Sequence, residues 1–474
     1  SVSAFLLNRS SDLEIEDLKA VNNFYQHDMA AVRLKMSEDT LWEEIVKNLN
    51  KKFSFFSFLI EGDSKIVAEK VELLDLLCVN QVDKGDGICL VLGKKGPVVE
   101  TTTATMIPGG QATAKLVAFQ VGSGYDSYGK EKCGNAPISE EAEFAYTTAL
   151  NYMLRSDSRN KFLIGNRTFL FWASKNDEAG VQAEESIFNM FGFTDNEDDP
   201  NRNVEQVRKT FNAIYSGSLK TSLDDKFYIL GLAHNSARIA VTYWSELPLK
   251  EFAALILRHF EDMEIVDTRK EKKPYSGLRS ILAAVSLGGR SSDATPNLPE
   301  AVMKSIFQGV PYPYTLFAGC IRRIRAEQSL NITRAAIIKA YLNRIDNNQK
   351  IGKMLDKENT NQGYLCGRLF AVLDKTQDDA NNQHSIRERY MNAASATPAT
   401  VFATILNLSS HHSEKLNEGR KIFFEKIKQE IIDKISPDGF PSHLDLQDQG
   451  RFFVGYYQQM QWFYTKNNEQ ETES

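Results

Sequence analysis

Most of the patterns that announce a metal centre, a membrane span or a nucleotide pocket are missing from this 474-residue chain. It has only five cysteines, Cys78, Cys89, Cys133, Cys320 and Cys366, an odd number with no CxxC pair and no histidine near the two closest. That spacing excludes a zinc knuckle and a disulfide framework, and it reads as reduced, mostly packed thiols. No apolar run approaches the roughly 18 to 20 residues a bilayer span requires, and no basic-then-apolar leader opens the chain, so no membrane and a cytoplasmic address are expected. No internal repeat of fixed period is present. Gly93-Lys94-Lys95 fails as a P-loop, because Ile88 stands where the first glycine is needed and Lys95 where a Ser or Thr is needed. Gly122-Ser123-Gly124 fails as a dinucleotide fingerprint, because Tyr125, Asp126 and Ser127 follow where a helix with a third glycine should begin. His27-Asp28 is the one His-Asp dipeptide, and the other histidines, 234, 259, 384, 411, 412 and 443, lie far downstream. It reads as an ordinary surface pair rather than a metal-dependent phosphohydrolase centre. With no nucleophile elbow and no carboxylates at metal-ligand spacing, neither catalysis nor a cofactor is expected. Bulk positive charge is lacking too: at a net charge of −6, nucleic-acid contact must come from local clusters or from basic partners.

What is present is the composition of an ordinary globular protein, 42% hydrophobic and 25% charged. A single core stops growing at about 250 to 300 residues, so more than one domain is expected. Residues 14–50 scan as helices on Leu18, Val21, Phe24, Tyr25, Leu41, Ile45 and Leu49. Short apolar runs at Phe53–Ile60, Ile66–Val71, Ile88–Leu92 and Leu116–Phe119, broken by DKGDG and GKKGP turns, suggest strands and hairpins. Further strands are expected at Thr168–Ala173, Phe227–Ala233 and Ile239–Trp244, the last two joined by a turn at Asn235-Ser236. From Gly277 onward nearly everything scans as helix. The expected class is α+β, with a β-rich mixed N-terminal region followed by an all-helical C-terminal bundle. Its expected divisions are residues 1–276, a basic helical region 277–350, and a bundle 351–474.

Five segments carry chemistry suited to a polyanion. In GSGYDSYGKEKCGN (122–135) the glycines allow close approach of the main chain, Lys130 and Lys132 bring charge, and Tyr125 and Tyr128 bring flat faces; Asn135 is both donor and acceptor. The same residues also describe a plain surface loop, which ends at a helix start marked by Pro137, Ser139 and the acids Glu140, Glu141 and Glu143. Just upstream, Gly109-Gly110-Gln111 to Lys115 joins a backbone-exposing turn to a side chain able to wedge or hydrogen-bond bases. Between Tyr314 and Arg344 stand six cations, Arg322, Arg323, Arg325, Arg334, Lys339 and Arg344, against the single acid Glu327. Arg322 and Arg325 share a helix face and either grip successive phosphates or pair with acids of neighbouring helices. The charged loop 269–275 and the flexible SLGGRSSD around Arg290 are strand-tracking candidates, or solvated charge runs.

Several long stretches also resemble one family. Residues 122–151, 227–260 (FYILGLAHNSARIAVTYWSELPLKEFAALILRHF), 312–344, 359–373 (NTNQGYLCGRLFAVL), 393–402 (AASATPATVF) and 448–459 (DQGRFFVGYYQQ) are similar, in order, to the large subunit of type I-C Cascade, the c-type member of the Cas-eight family. The family's early aromatic-Asp-Asn segment has only a loose counterpart here, which implies that its N-terminal portion is lacking. The resemblance implies a non-catalytic subunit of an RNA-guided DNA surveillance complex in antiviral defence. Its implied partners are guide RNA, target double-stranded DNA, the backbone, handle-processing and small subunits, and a separately recruited helicase-nuclease. The Gly109–Lys115 turn becomes the expected contact with the duplex flanking the target or with the guide handle. The C-terminal bundle is expected to act as a small-subunit-like module, with Met354 as an internal start. Two alternatives stay open, a metal-dependent nuclease and a purely structural scaffold of a ribonucleoprotein.

Overall fold

The computed structural model describes residues 16–49, 57–70, 86–122, 124, 128–164, 166–191, 200–270, 275–346 and 349–472. The chain forms two compact units, Ser1–Val98 and Val99–Ser474.

In the first unit the helical stretch resolves into α1 (Glu16–Gln26), α2 (Met29–Met36) and α3 (Trp42–Leu49). The break between α1 and α2 is chemical: the Asp28 carboxylate accepts the Ala30 amide at 3.0 Å and caps a new helix. His27-Asp28 is therefore a helix start. Val21 and Val67 are buried together, with Leu18, Tyr25, Phe58 and Ile60 around them, and the Lys70 ammonium joins Asp17 and Asp63 at 2.7 and 2.6 Å. Of the strand expected at Ile66–Val71, Val67–Glu69 form a 3-10 turn that buries Val67, while Val71 lies outside the described residues. Strand β1 (Asp86–Ile88) pairs antiparallel with β2 (Lys95–Pro97). It ends earlier than the apolar run, because Leu90 to Leu92 form the hairpin tip.

The second unit is built on an antiparallel sheet in the order β3-β4-β5-β6: Lys161–Ile164, Arg167–Ala173, Lys226–Asn235 and Arg238–Pro248. Period-two alternation decides its faces. Phe162, Phe169, Phe171, Phe227 and Ile229 point to one side, where α5 (Glu178–Phe191), α6 (Pro200–Ser216) and α7 (Leu249–Met263) cover them. Phe252 of α7 stacks on Phe227 with ring centroids 4.4 Å apart. Leu170, Leu232 and Ile239 point to the other side, against Leu150 of α4 (Glu140–Met153) and its C-cap Leu154, Ile107 and Ala114. Each aromatic ring so buried contributes roughly 1.5 to 3 kcal/mol. Leu116–Phe119, expected as a strand, joins the sheet only through one bridge at Lys115.

Helices α8 (Leu278–Val285), α9 (Leu298–Phe307), α10 (Tyr314–Glu327), α11 (Ile332–Ile345), α12 (Gln362–Asn381), α13 (Ser385–Ala396), α14 (Pro398–Ser413), α15 (Glu418–Ile432) and α16 (Leu446–Thr472) complete the unit. The mixed class, strands early and helices dominating later, is the one expected. Asn331, Asn361 and Asn417 cap α11, α12 and α15, each accepting an amide three residues on at 2.8 to 3.0 Å. One apolar cluster runs without interruption from Phe162 on the sheet to Phe463 on α16. Its centre is α12, buried continuously from Gly363 to Gln377. There Gly363 and Gly367 of α12, and Gly455 of α16, let the two helix backbones touch.

Buried in α7, His259 is held by two hydrogen bonds. Its Nε2–H donates to the Ser276 carbonyl at 2.8 Å, and the Tyr312 hydroxyl donates to Nδ1 at 2.7 Å. Burial depresses the imidazole from 6.5 to about 4, so it is neutral in the fold. The unfolded chain takes up this proton near pH 6.5 and the folded chain only near 4. The stabilisation is therefore complete above pH 6.5 and is lost as pH falls toward 4, by about 1.4 kcal/mol per pH unit. Thermal unfolding between pH 7.5 and 4.5 is expected to lose midpoint more steeply for the wild type than for His259→Asn. Equal slopes would remove His259 as the source.

Candidate nucleic-acid interface

The Gly109–Lys115 turn is braced on the β5–β6 hairpin tip. The Lys115 amide donates to the Ala237 carbonyl at 3.2 Å, and the Ile239 amide to the Lys115 carbonyl at 3.1 Å. Gly109 has φ +77°, and a Cβ there would sit 3.0 Å from His234 Nε2; a Cβ on Gly110 would sit 2.5 Å from Ile107 Cγ2. Only glycines let this turn lie flat on His234. Gln111 is exposed, while Gly109 and Gly110 lead the chain into it and Lys115, His234 and Arg238 stand half-buried beside the same hairpin.

The second loop hangs on the same segment, residues 99–107. Thr105 donates its amide to the Ala114 carbonyl at 2.7 Å, and Cys133 donates its amide to the Glu100 carbonyl at 3.2 Å. Burial pushes the Cys133 thiol up, opposed by a hydrogen bond from the Thr102 amide and by the charge of Lys115. Tyr128 is fully exposed with φ 52°, and Gly122, Gly124 and Gly129 adopt φ of 74°, 77° and 71°. Lys130 is exposed. Lys132 pairs with Glu100, a hydrogen bond that raises the lysine and lowers the carboxyl. The Asn135 amide donates to the Lys130 and Lys132 carbonyls, each at 3.1 Å, so it staples this loop. Tyr125 lies outside the described residues. The helix start read from Pro137 and Ser139 is present: the Ser139 hydroxyl accepts the Ala142 amide at 3.3 Å.

Beside these loops the outer face of α4 forms a shallow groove of about 560 Å³ with Thr103. Phe144 is 70% and Tyr152 62% exposed along it, and the Arg155 guanidinium lies 4.4 Å from the Tyr152 ring centroid. Exposed aromatics next to a guanidinium suit base stacking.

The cation-rich stretch 314–344 divides sharply by burial. Arg334 is buried and bonds Glu327, the Ala284 carbonyl at 2.9 Å and the Ser329 carbonyl at 3.2 Å. Lys339 reaches the Glu261 carbonyl at 3.5 Å, and burial lowers its ammonium. Arg344 pairs with Asp262 at 2.6 Å. Arg323, half-buried, pairs with Glu327 and donates to the Leu287 carbonyl at 3.4 Å, which joins α10 to the loop carrying Arg290. Arg325 is half-buried, and burial lowers its guanidinium. Arg322 and Arg290 are exposed. Pairing with neighbouring helices thus accounts for Arg334 and Arg344, pairing within α10 and with the 286–290 loop for Arg323, and Arg322 with Arg290 remain the solvent-facing cations of this region.

His234, Arg238, Phe144, Tyr152 and Arg155 were not singled out by the sequence. The Asn235-Ser236 turn located the hairpin tip, but its neighbour lies more than 100 residues upstream, a pairing no local pattern contains. Among the described residues no group of three or more His, Cys, Asp or Glu side chains could hold a metal ion, and no helix is long and apolar enough to cross a membrane. Cys89, Cys133, Cys320 and Cys366 are buried and form no disulfide, and burial pushes the Cys320 and Cys366 thiols up to about 12. Residues 4–464 match the family model described as CRISPR-associated protein (Cas_Csd1). No curated protein matches the chain.

Proposed function

Because the chain belongs to the Cas_Csd1 family of CRISPR-associated proteins, we propose that it is the large subunit of a type I-C Cascade, a surveillance complex that binds nucleic acid and leaves cutting to a recruited helicase-nuclease. Sequence selectivity then comes from pairing between guide RNA and target, while this subunit reads the short motif flanking the target, holds the guide handle and steadies the R-loop. Unwinding is nearly balanced by heteroduplex formation, so a few phosphate contacts and one wedge suffice to tip it. The observation that carries this reading is the Gly109–Lys115 turn, fixed on the β5–β6 tip with Gln111 exposed, and bonded through Thr105 to the same segment that holds the Cys133 turn. A backbone pinned by hydrogen bonds presents its glutamine with little main-chain ordering cost on binding. Tyr128, Lys130 and the α4 groove extend the surface for backbone and bases, and Arg290 with Arg322 supply a further pair of phosphate contacts. The chain's partners on this reading are guide RNA, double-stranded target, the remaining Cascade subunits and the helicase-nuclease.

The test is an electrophoretic shift series at several salt concentrations with the assembled complex. The combined variant Lys115→Ala, Lys130→Ala, Arg322→Ala is expected to bind target DNA at least about tenfold more weakly. Its log K against log salt slope is expected to be shallower by about 0.7 to 0.9 for each phosphate contact removed. Gln111→Ala is expected to weaken flanking-motif discrimination with the slope unchanged. Unaltered affinity and slope in an intact particle would leave a structural scaffold as the reading.

A further inference from the structure

The first unit carries one surface that the nucleic-acid reading does not use. At the tip of the β1–β2 hairpin, Ile88, Leu90 and Val91 are 64%, 67% and 64% exposed, followed by Leu92 at 38%. Contiguous large aliphatic side chains in water are rare on soluble proteins and mark interaction sites. This tip is ordered rather than loose. The Gly93 amide donates to the Cys89 carbonyl at 2.8 Å, the Cys89 amide to the Lys94 carbonyl at 2.9 Å, and the Leu92 amide to the buried Cys89 Sγ at 3.4 Å. Gly93, at φ +67°, closes the turn, and Lys94 and Lys95 follow it, both exposed. Turning Cys89 inward holds its aliphatic neighbours outward.

We propose that this hairpin is a docking finger that inserts its aliphatic tip into an apolar cleft with an acidic rim on another protein subunit of the complex, an inference that rests on the chain being a component of such a complex. The chemistry selects a protein over a nucleic acid. Aliphatic side chains offer no π face for base stacking and no donors for base edges, and the turn's amides at Cys89, Leu92 and Gly93 are already engaged. Aliphatic anchors desolvated at an interface centre carry most of its binding energy, and the paired lysines steer an acidic rim toward them.

The full chain carrying Leu90→Ser and Val91→Ser is assembled with the purified remaining subunits and guide RNA, and incorporation is titrated by native mass spectrometry. Incorporation is expected to weaken at least about tenfold while the thermal midpoint of the free chain stays unchanged, because the replaced side chains are exposed. Lys94→Glu with Lys95→Glu is expected to slow association most at low salt. Normal incorporation of the serine variant overturns this inference alone, whereas a wild-type chain that joins no particle defeats the reading of the preceding subsection as well. Intact particles with weakened DNA binding would assign the tip to nucleic acid. A wild-type dimer that the variant abolishes would assign it to a second copy of the chain. Either result overturns the proposal.

Discussion

Replacing Gly367 by alanine is expected to destabilise the protein by about 3 kcal/mol or more, and by valine to prevent accumulation of soluble folded chain. A Cβ at this position would lie 1.9 Å from the Phe452 carbonyl oxygen, 2.7 Å from its carbon and 2.9 Å from its Cα. These are main-chain atoms of a buried helix, and no rotamer change moves them. Similar contacts stand on both sides: Gly363 would meet the Asp448 oxygen at 2.4 Å and Gly455 the Tyr364 oxygen at 2.4 Å. Alanine is the better helix former by about 1 kcal/mol, so propensity favours the substitution and the contact opposes it. The contact wins, because α12 and α16 would have to separate along the whole buried face. Gly419, on the first turn of α15, would meet only Asn417 Oδ1 at 3.8 Å. Alanine there is expected to be neutral or slightly stabilising. Urea unfolding followed by circular dichroism measures both, and a Gly367→Ala protein as stable as Gly419→Ala would refute the close crossing.

The second large effect is expected at Arg344. Its side chain is 1% exposed and paired with Asp262 at 2.6 Å; it donates to the Ser305 and Val310 carbonyls at 2.5 and 2.6 Å and lies 4.2 Å from the Tyr312 ring centroid. Arg344→Met keeps the volume and removes the charge. The Asp262 carboxylate and two carbonyls then lose their donor, which is expected to cost about 3 to 5 kcal/mol. Adding Asp262→Leu is expected to recover part of that loss, because the stranded charge is gone. A coupling energy near zero in this double-mutant cycle would show that the pair does not act as a unit.

Arg344 also shows where sequence reasoning stopped. A cluster of six cations reads the same along the chain whether it faces solvent or Asp262, Glu327 and the Ala284 carbonyl, and those partners stand up to 82 positions away. The β4, β5 and β6 strands were legible because their alternation is local: Phe169 and Phe171 against Leu170 and Trp172, with Asn235-Ser236 as the turn. The start of α4 was legible through Ser139 and its three acids. Val67–Glu69 and Leu116–Phe119 misled because an apolar run shows that side chains are buried, not that a neighbouring strand is there to receive hydrogen bonds. The Gly109 turn was found as a turn, but its seat on His234 was not, since glycine's role there is set by a ring from another part of the chain. The close approach of the α12 glycines to α16 was not legible either, since Gly363 and Gly367 meet backbone more than 80 positions downstream.

Those tight contacts set the order in which the molecule can assemble. The Tyr457 hydroxyl donates to the Val266 carbonyl at 2.9 Å across 191 positions, and the Thr268 amide reaches Gln461 at 3.2 Å across 193. Closing so large a span demands its entropy before any contact repays it. Helix α16 is therefore expected to seat late, onto α11, α12 and the 266–268 segment, and until it does the face of glycines and aromatics along α12 stands open to water.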